Sequence, residues 1–469
     1  AKDPVRSHRL SAEERAELLQ YASDTWRSFE RMTLPSGLTA DGLMKDGGGW
    51  GTPTMQTSPT NIGAYIWSTL AAERLKLIGE EESRSRIEKT LKTLGQMQRY
   101  HGFYANDIEL RDGGTVKISP FDSTPRRPLV SSVDNAWLAA ALTMVYNVVP
   151  SLREDAAKLL EEMNFRFFYD PYDEKDPINR PGLLRVGYWA DEKTFYGHYG
   201  MLNSEARIAT YLGITNKQLP PEQYYRLYRT LPEGMEQDQK PIGQVKEYMG
   251  IPVFEGAYTY RGSRIVPSWG GSMFEALMVT LFVPEDVWAP RSWGVNHPLY
   301  VQAQIDHGLE DAKYGFWGFS PAASPRGGYE TYGVSALGVN PLGYLSYEIA
   351  APAQPPFPNH GAKFSHGVVT PHASFLALRF APRESMDNLR KLTMRFPIYS
   401  QFGFLDSVDV SAGIVSGCVL ALDQAKLRQL CSQDQQIASA IYALVGGGLA
   451  DKMHASNERM QPAGGSGQD

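Results

Sequence analysis

The stretch SSVDNAWLAAALTMVYNVV (131–149) decides how the rest of the chain is read. Ser131 and Ser132 are N-cap residue types, Asp134 sits where a first-turn acid meets the helix dipole, and the residues after it are apolar almost all round. A surface helix carries one apolar stripe, so a helix apolar on every side is enclosed by other elements. TSPTNIGAYIWSTLAAERLKLIG (57–79), with Ser58 and Pro59 as N-cap and first-turn pair, and SFLALRF (374–380) have the same character. The stretches that alternate with them, such as RSRIEKTLKTL (84–94) and LREDAAKLLEEM (152–163), are conventionally amphipathic.

Enclosed and surface helices therefore succeed each other in pairs. The first helix opens on a capping box, Ser11 with Glu14. Others are expected at 84–98, 204–212, 222–228, 272–282, 298–307, 368–380, 385–395, 411–430 and 435–444, about twelve or thirteen in all, with few strands. Six pairs with one member inside and one outside close into an (α/α)6 toroid. That all-α toroid is the expected fold, as a single domain over 1–450 with a disordered polar tail at 451–469. No self-similar repeat at fixed spacing points to a solenoid. Long connections at 100–130, 170–203, 229–271 and 311–367, rich in Gly, Pro and aromatics, lead into the inner helices and should gather on one face as a cleft.

Composition narrows what that cleft takes. The 469 residues carry a net charge of -6, which gives no broad attraction to a phosphate backbone or an anionic bilayer. Nucleic acid fits poorly, and no apolar run reaches the roughly eighteen residues of a membrane span. The start AKDPVRSHRL, without Met or an apolar h-region, fits a processed secreted protein or a trimmed chain. Two cysteines, Cys418 and Cys431, are too few for a metal framework; two reduced core thiols are favoured over a short-loop disulfide. The histidines form no HExxH or HxH, and no P-loop or dinucleotide fingerprint is present, so no metal or cofactor is expected. Oligomeric state is not legible.

Four segments place a carboxylate among Gly, Ser and aromatic residues: SSVDNAW (Asp134), GMLNSEAR (Glu205), SWGGSMFEALM (Glu275) and QFGFLDSVD (Asp406). Glycoside hydrolysis needs a proton donor and a second carboxylate as base or nucleophile, set in an aromatic, hydrogen-bonding groove. Glu205 is the first choice for the acid. A helix start lowers a carboxyl pKa, so burial or a neighbouring carboxylate must compensate there. Asp406 is the candidate base, and Asp134 is balanced between base, ligand and helix cap. Glu275, alone in an apolar helix, requires a partner, for which Arg264 and Arg291 are candidates. Trp269, Trp293, Trp317, Tyr329, Tyr332, Tyr199, His198 and Phe404 are candidate substrate contacts, with Arg291 and the acid Glu330 beside them.

TSPTNIGAYIWSTLAAERL, SSVDNAWLAAAL, NSEARIATYLGI, SWGGSMFEALMVTLFVPE, WGFSPAASPRGGYETYGV, VVTPHASFLALRFAP and GFLDSVD, taken in order, resemble the glycoamylase-like superfamily, which includes endo-β-1,2-glucanases of glycoside hydrolase family 144. TSPTNIG is also similar to the transglycosylase portion of cyclic β-1,2-glucan synthases. The resemblance runs from about residue 12 to residue 420. It implies an (α/α)6 toroid, a periplasmic or secreted setting, no metal requirement and hydrolysis of β-1,2-glucan as the polysaccharide partner. It carries the acid role to Glu205 through SEAR, and pocket roles to Asp134 and Asp406 through SVD and GF-x-D. Two positions depart from the pattern: Gly270 stands where Asp is usual, and Glu330 is not expected. A transglycosylase, a different linkage and a non-catalytic glucan-binding protein are therefore alternatives.

Overall fold

The computed structural model describes residues 10–46, 49–111, 113–114, 126–232, 237, 239–327, 329–339 and 367–420. Cys431, the helix expected at 435–444 and the tail at 451–469 lie outside these. Twelve α-helices are present among the described residues: α1 (Ala12–Met32), α2 (Pro59–Arg74), α3 (Glu80–Gln96), α4 (Ser132–Val148), α5 (Arg153–Glu162), α6 (Arg207–Thr215), α7 (Glu222–Arg226), α8 (Met273–Leu277), α9 (Glu285–Trp288), α10 (Trp293–Asp306), α11 (Pro371–Ala377) and α12 (Pro382–Arg395).

The enclosed and surface classes separate as the periodicity predicts. In α2 and α4 nearly every side chain is buried, and all seven residues of α11 are. In α3, by contrast, burial is confined to Ser83, Ile87, Thr90, Leu91 and Leu94, one stripe at helical spacing. The helices α2, α4 and α6 pack side by side, α3 and α5 lie against them and each other, and α8 packs on α10 and α11. The caps are those read from the sequence: the Ser11–Glu14 capping box is complete, and Ser58 and Ser131 accept the amide N–H groups of Asn61 and Asp134.

Several expectations are corrected. Strands are numerous: among the described residues, ten small sheets of two or three strands fill the connections. Segments of two to five residues are too short to show a clear period, so alternation did not reveal them. Residues 411–420, expected as the start of a helix over 411–430, instead carry strands Ile414–Val415 and Cys418–Leu420, behind strand Val408–Asp409. Val368–Val369 is a strand before α11, and α10 begins at Trp293 with Pro298 inside it.

Strand Cys418–Leu420 pairs antiparallel with Gly42–Asp46, returning residue 420 to residue 42. Trp50, packed edge-on to Phe402 at 5.3 Å, joins the two large cores at the same seam. No helix among the described residues is long and apolar enough to cross a membrane.

The close approach of two inner helices depends on Gly63 of α2, where an added Cβ would lie 3.0 Å from the Cα of Leu138 in α4. Gly63→Ala should therefore push α2 off α4 and cost about 1–3 kcal/mol, read as a lowered melting temperature.

Candidate active site

Three of the four acids are delivered by helix starts. Asp134 lies in the first turn of α4, and Thr60 in the first turn of α2 donates its hydroxyl to Asp134 Oδ1 at 2.5 Å. Glu205 occupies the turn before α6, where Trp137 of α4 donates its indole N–H to Glu205 Oε2 at 2.6 Å. Glu275 of α8 accepts the Ser204 hydroxyl at 2.9 Å and the Glu205 amide N–H at 3.0 Å, both on Oε2. These partners replace the expected ones, since Arg264 and Arg291 line a different cavity.

Asp406 follows strand Gly403–Phe404 and caps no helix. Its Oδ2 accepts the Ala323 amide N–H at 2.5 Å, and His372 Nδ1 lies 3.9 Å from Oδ1. Ala323 belongs to the hairpin that pairs Ala322–Ala323 with Tyr329–Glu330, so Asp406 holds the hairpin that presents Tyr329. Tyr329 keeps 57% of its surface exposed. Its hydroxyl is pushed upward by its setting deep among protein atoms and then by the charges of Asp406, Glu205, Glu275 and Asp134, so it lies within electrostatic reach of all four acids. Tyr199 is raised by burial and by Glu205, Asp134 and Glu275, which puts it in the same neighbourhood.

Burial, the Glu275 charge and the Asp134 charge raise the Glu205 carboxyl well above its ordinary value; the Trp137 hydrogen bond and Arg207 oppose this. Burial also raises Asp134, against the hydrogen bonds from Ser131 and Thr60. A fifth carboxylate joins them. Asp41 accepts Asn61 at 2.6 Å and Gln56 at 2.8 Å, and burial, aided by Asp107 and Asp134, moves it up to about 7. Sequence reasoning missed Asp41, which has no helix or aromatic cluster beside it to single it out.

The other candidates are dispersed. Trp317 and Phe404 are buried in the core, Phe404 against Tyr21, Phe375 and Tyr399. Trp269 packs with Met201, Leu231 and Tyr258. Trp293 is buried between Arg207 and His297. His198 is drawn to Asp170 at 2.9 Å, and the Tyr332 hydroxyl donates to Ser324 at 3.0 Å. Arg291 is exposed on the separate cavity. Glu330 stays beside Tyr329 on the hairpin, half-buried and raised by that burial. Gly270 has φ +56, a backbone that Gly adopts freely and Asp tolerates, which fits the exchange at that position.

Arg207 fastens this floor. Its Nε and Nη2 grip Glu285 at 2.7 and 2.9 Å, and its remaining donors reach the carbonyls of Ser204, Glu275 and Ala276 at 2.8, 3.1 and 2.8 Å. Tyr211 and His297 complete the shell of Glu285. Burial alone would raise Glu285, but Arg207 and His297 hold it down at about 2.

Residues 253–432 match the family model described as "Putative glucoamylase", and residues 20–168 match a family of unknown function, DUF3131. The chain is similar to the glycoamylase-like enzymes. Its fold matches an endo-β-1,2-glucanase from Chitinophaga pinensis, solved with sophorotriose and glucose (TM-score 0.65, 15% identity, 95% of this chain and 98% of that one). It also matches a β-1,2-glucanase from Parabacteroides distasonis (TM-score 0.68, 15% identity, 96% of this chain and 60% of that one). A stretch of 263 residues is 30% identical to the cyclic β-(1,2)-glucan synthase NdvB of Rhizobium meliloti, covering 55% of this chain and 7% of that protein. These findings bear out the resemblance of residues 12–420 to glycoside-hydrolase-type enzymes of this group.

Glu285 ionises more readily folded than unfolded, so its contribution is complete above about pH 4.5 and disappears as pH falls through about 2. Glu285→Gln should cost about 3–5 kcal/mol at neutral pH by stranding the Arg207 charge, and should flatten the acid limb of stability in denaturant titrations between those pH values.

Proposed function

We propose that this chain is a glycoside hydrolase that cuts β-1,2-glucan internally and releases sophoro-oligosaccharides. Glu205 donates the proton to the leaving oxygen, and Asp406 or Asp134 activates water. The observation that carries the reading is the Glu205 carboxyl, held by Trp137 and raised by burial and by Glu275, on the space that Tyr329 overlooks. A donor must be protonated near neutral pH, and these surroundings favour that state. With one oxygen accepting from Trp137, Oε1 is left to carry the proton. Tyr329 offers an exposed ring face to a sugar, and Tyr199 and Glu330 offer hydrogen-bonding groups.

The scaffold fits an (α/α)6 toroid acting as one domain over 1–450. Support comes from the alternation of enclosed and surface helices and from the strand pairing that joins residues 42 and 420. A periplasmic or extracellular setting suits a polymeric β-1,2-glucan substrate. Inversion is the proposed outcome; carboxyl separations of about 6.5–9.5 Å go with it and about 5–5.5 Å go with retention. A transglycosylase outcome is the second reading, supported by the similarity to the cyclic glucan synthase.

Incubation with linkage-defined glucans, with product sizing and anomer detection, tests the substrate. Reducing sophoro-oligosaccharides from β-1,2-glucan alone are expected; chain lengths redistributed without new reducing ends would favour transglycosylation, and inertness toward β-1,2-glucan would overturn the substrate. Glu205→Gln should lower kcat by about a thousandfold or more while glucan still binds, which also separates the enzyme from a binding-only protein. Glu275→Gln removes a negative neighbour, so Glu205 should ionise more easily and the basic limb of the kcat/KM profile should move to lower pH.

A further inference from the structure

A cavity of about 740 Å³ lies apart from the acids; neither Asp134, Glu205, Glu275, Asp406, Tyr199 nor Tyr329 lines it. It is enclosed by α6, α7, α9, the start of α10 and the hairpin of Val245–Tyr248 with Ile251–Phe254. That volume falls within the few hundred to about 1,000 Å³ typical of small-ligand sites.

The charges on its walls do not balance. Its two acids are already engaged: Glu285 with Arg207 and His297, and Glu255 with Arg229 at 3.4 Å. Lys246, Arg264 and Arg291 also line the cavity and are exposed, and their side chains have no ion pair or hydrogen bond among the described residues. Three uncompensated cations around one concavity, in a chain of net charge -6, make a local positive field. The same cavity has an aromatic wall, in which Tyr225 and Tyr248 stack at 5.1 Å with planes 10° apart and Tyr211 and Tyr224 stack at 6.0 Å.

We propose that this cavity is a second binding site, for an anionic saccharide. The sugar ring packs on the tyrosine wall, and its carboxylate or phosphate monoester is held by Arg264, Arg291 and Lys246. Guanidinium groups suit both anions because their paired donors match two anion oxygens. The site does not depend on the reaction assigned to the carboxylate cleft.

Calorimetric titration of the full chain with glucuronate, glucose 6-phosphate, glucose and inorganic phosphate tests it. At least one anionic sugar should bind saturably, tenfold or more tighter than glucose and than inorganic phosphate, and more weakly as salt is raised. The preferred sugar identifies the anion as carboxylate or phosphate. Arg264→Gln with Arg291→Gln should weaken binding at least tenfold, and Lys246→Gln gives the same direction should the double variant not fold. Glu205→Gln should leave the affinity unchanged. No saturation with either anionic sugar by about 10 mM, inorganic phosphate binding as well as both, or cation variants without effect would each overturn the proposal.

Discussion

The Arg207 guanidinium is the interaction on which the site depends. All five of its N–H groups are used: two grip Glu285, and three reach carbonyls on the Ser204 turn and on α8. A planar fork of five donors can make all five of these bonds, two of them to one carboxylate, and a lysine ammonium has only three donors. Burying such a charge is costly unless every donor is met and a counter-ion is present, and both conditions hold here. The result is mechanical. The turn carrying Glu205 and the helix carrying Glu275 cannot drift apart without breaking hydrogen bonds to Arg207.

The same ion pair explains how two acids can sit together with Arg207 two residues from one of them. An Arg with no other partner would serve as counter-ion to Glu205 and pull its pKa down. Glu285 occupies the two forked donors, and Arg207 acts on Glu205 less than burial, Glu275, Trp137 and Asp134 do. Glu285 therefore does for Glu205 what a spacer would do: it keeps the positive charge engaged elsewhere. The raised acid and the depressed acid are two parts of one arrangement.

Much of this fold was legible in the sequence because α2, α4 and α11 are apolar on every side and their caps are explicit. Glu205 was legible as a residue at a helix start, and it stands in the turn before α6. Tyr and Trp contacts were less legible. Tyr329 and Trp317 share Gly-rich surroundings, yet one ring is exposed and the other buried, because Trp317 and Gly318 are hydrogen-bonded to Asn388 of α12 and to Thr370 at the start of α11, whereas Tyr329 opens the second strand of a hairpin. Local composition cannot separate those cases. The Arg207–Glu285 pair was invisible for a different reason: its members are far apart in sequence, and only tertiary packing joins them.

The acids are mounted on different kinds of support, and that shapes the cleft. Asp134, Glu205 and Glu275 stand at helix starts: Trp137 ties Glu205 to the helix of Asp134, Ser204 ties the Glu205 turn to Glu275, and Thr60 ties Asp134 to α2. Asp406 stands on strand-linked chain whose Oδ2 is committed to the Ala323 amide, and through it to the hairpin bearing Tyr329. The distance from Glu205 to Asp406 is thus set by how the hairpin layer docks on the helical floor, while the distance from Glu205 to Asp134 is set within the floor by α4 itself. Because carboxyl separation divides inversion from retention, a base at Asp406 ties stereochemistry to loop docking, and a base at Asp134 ties it to helix packing.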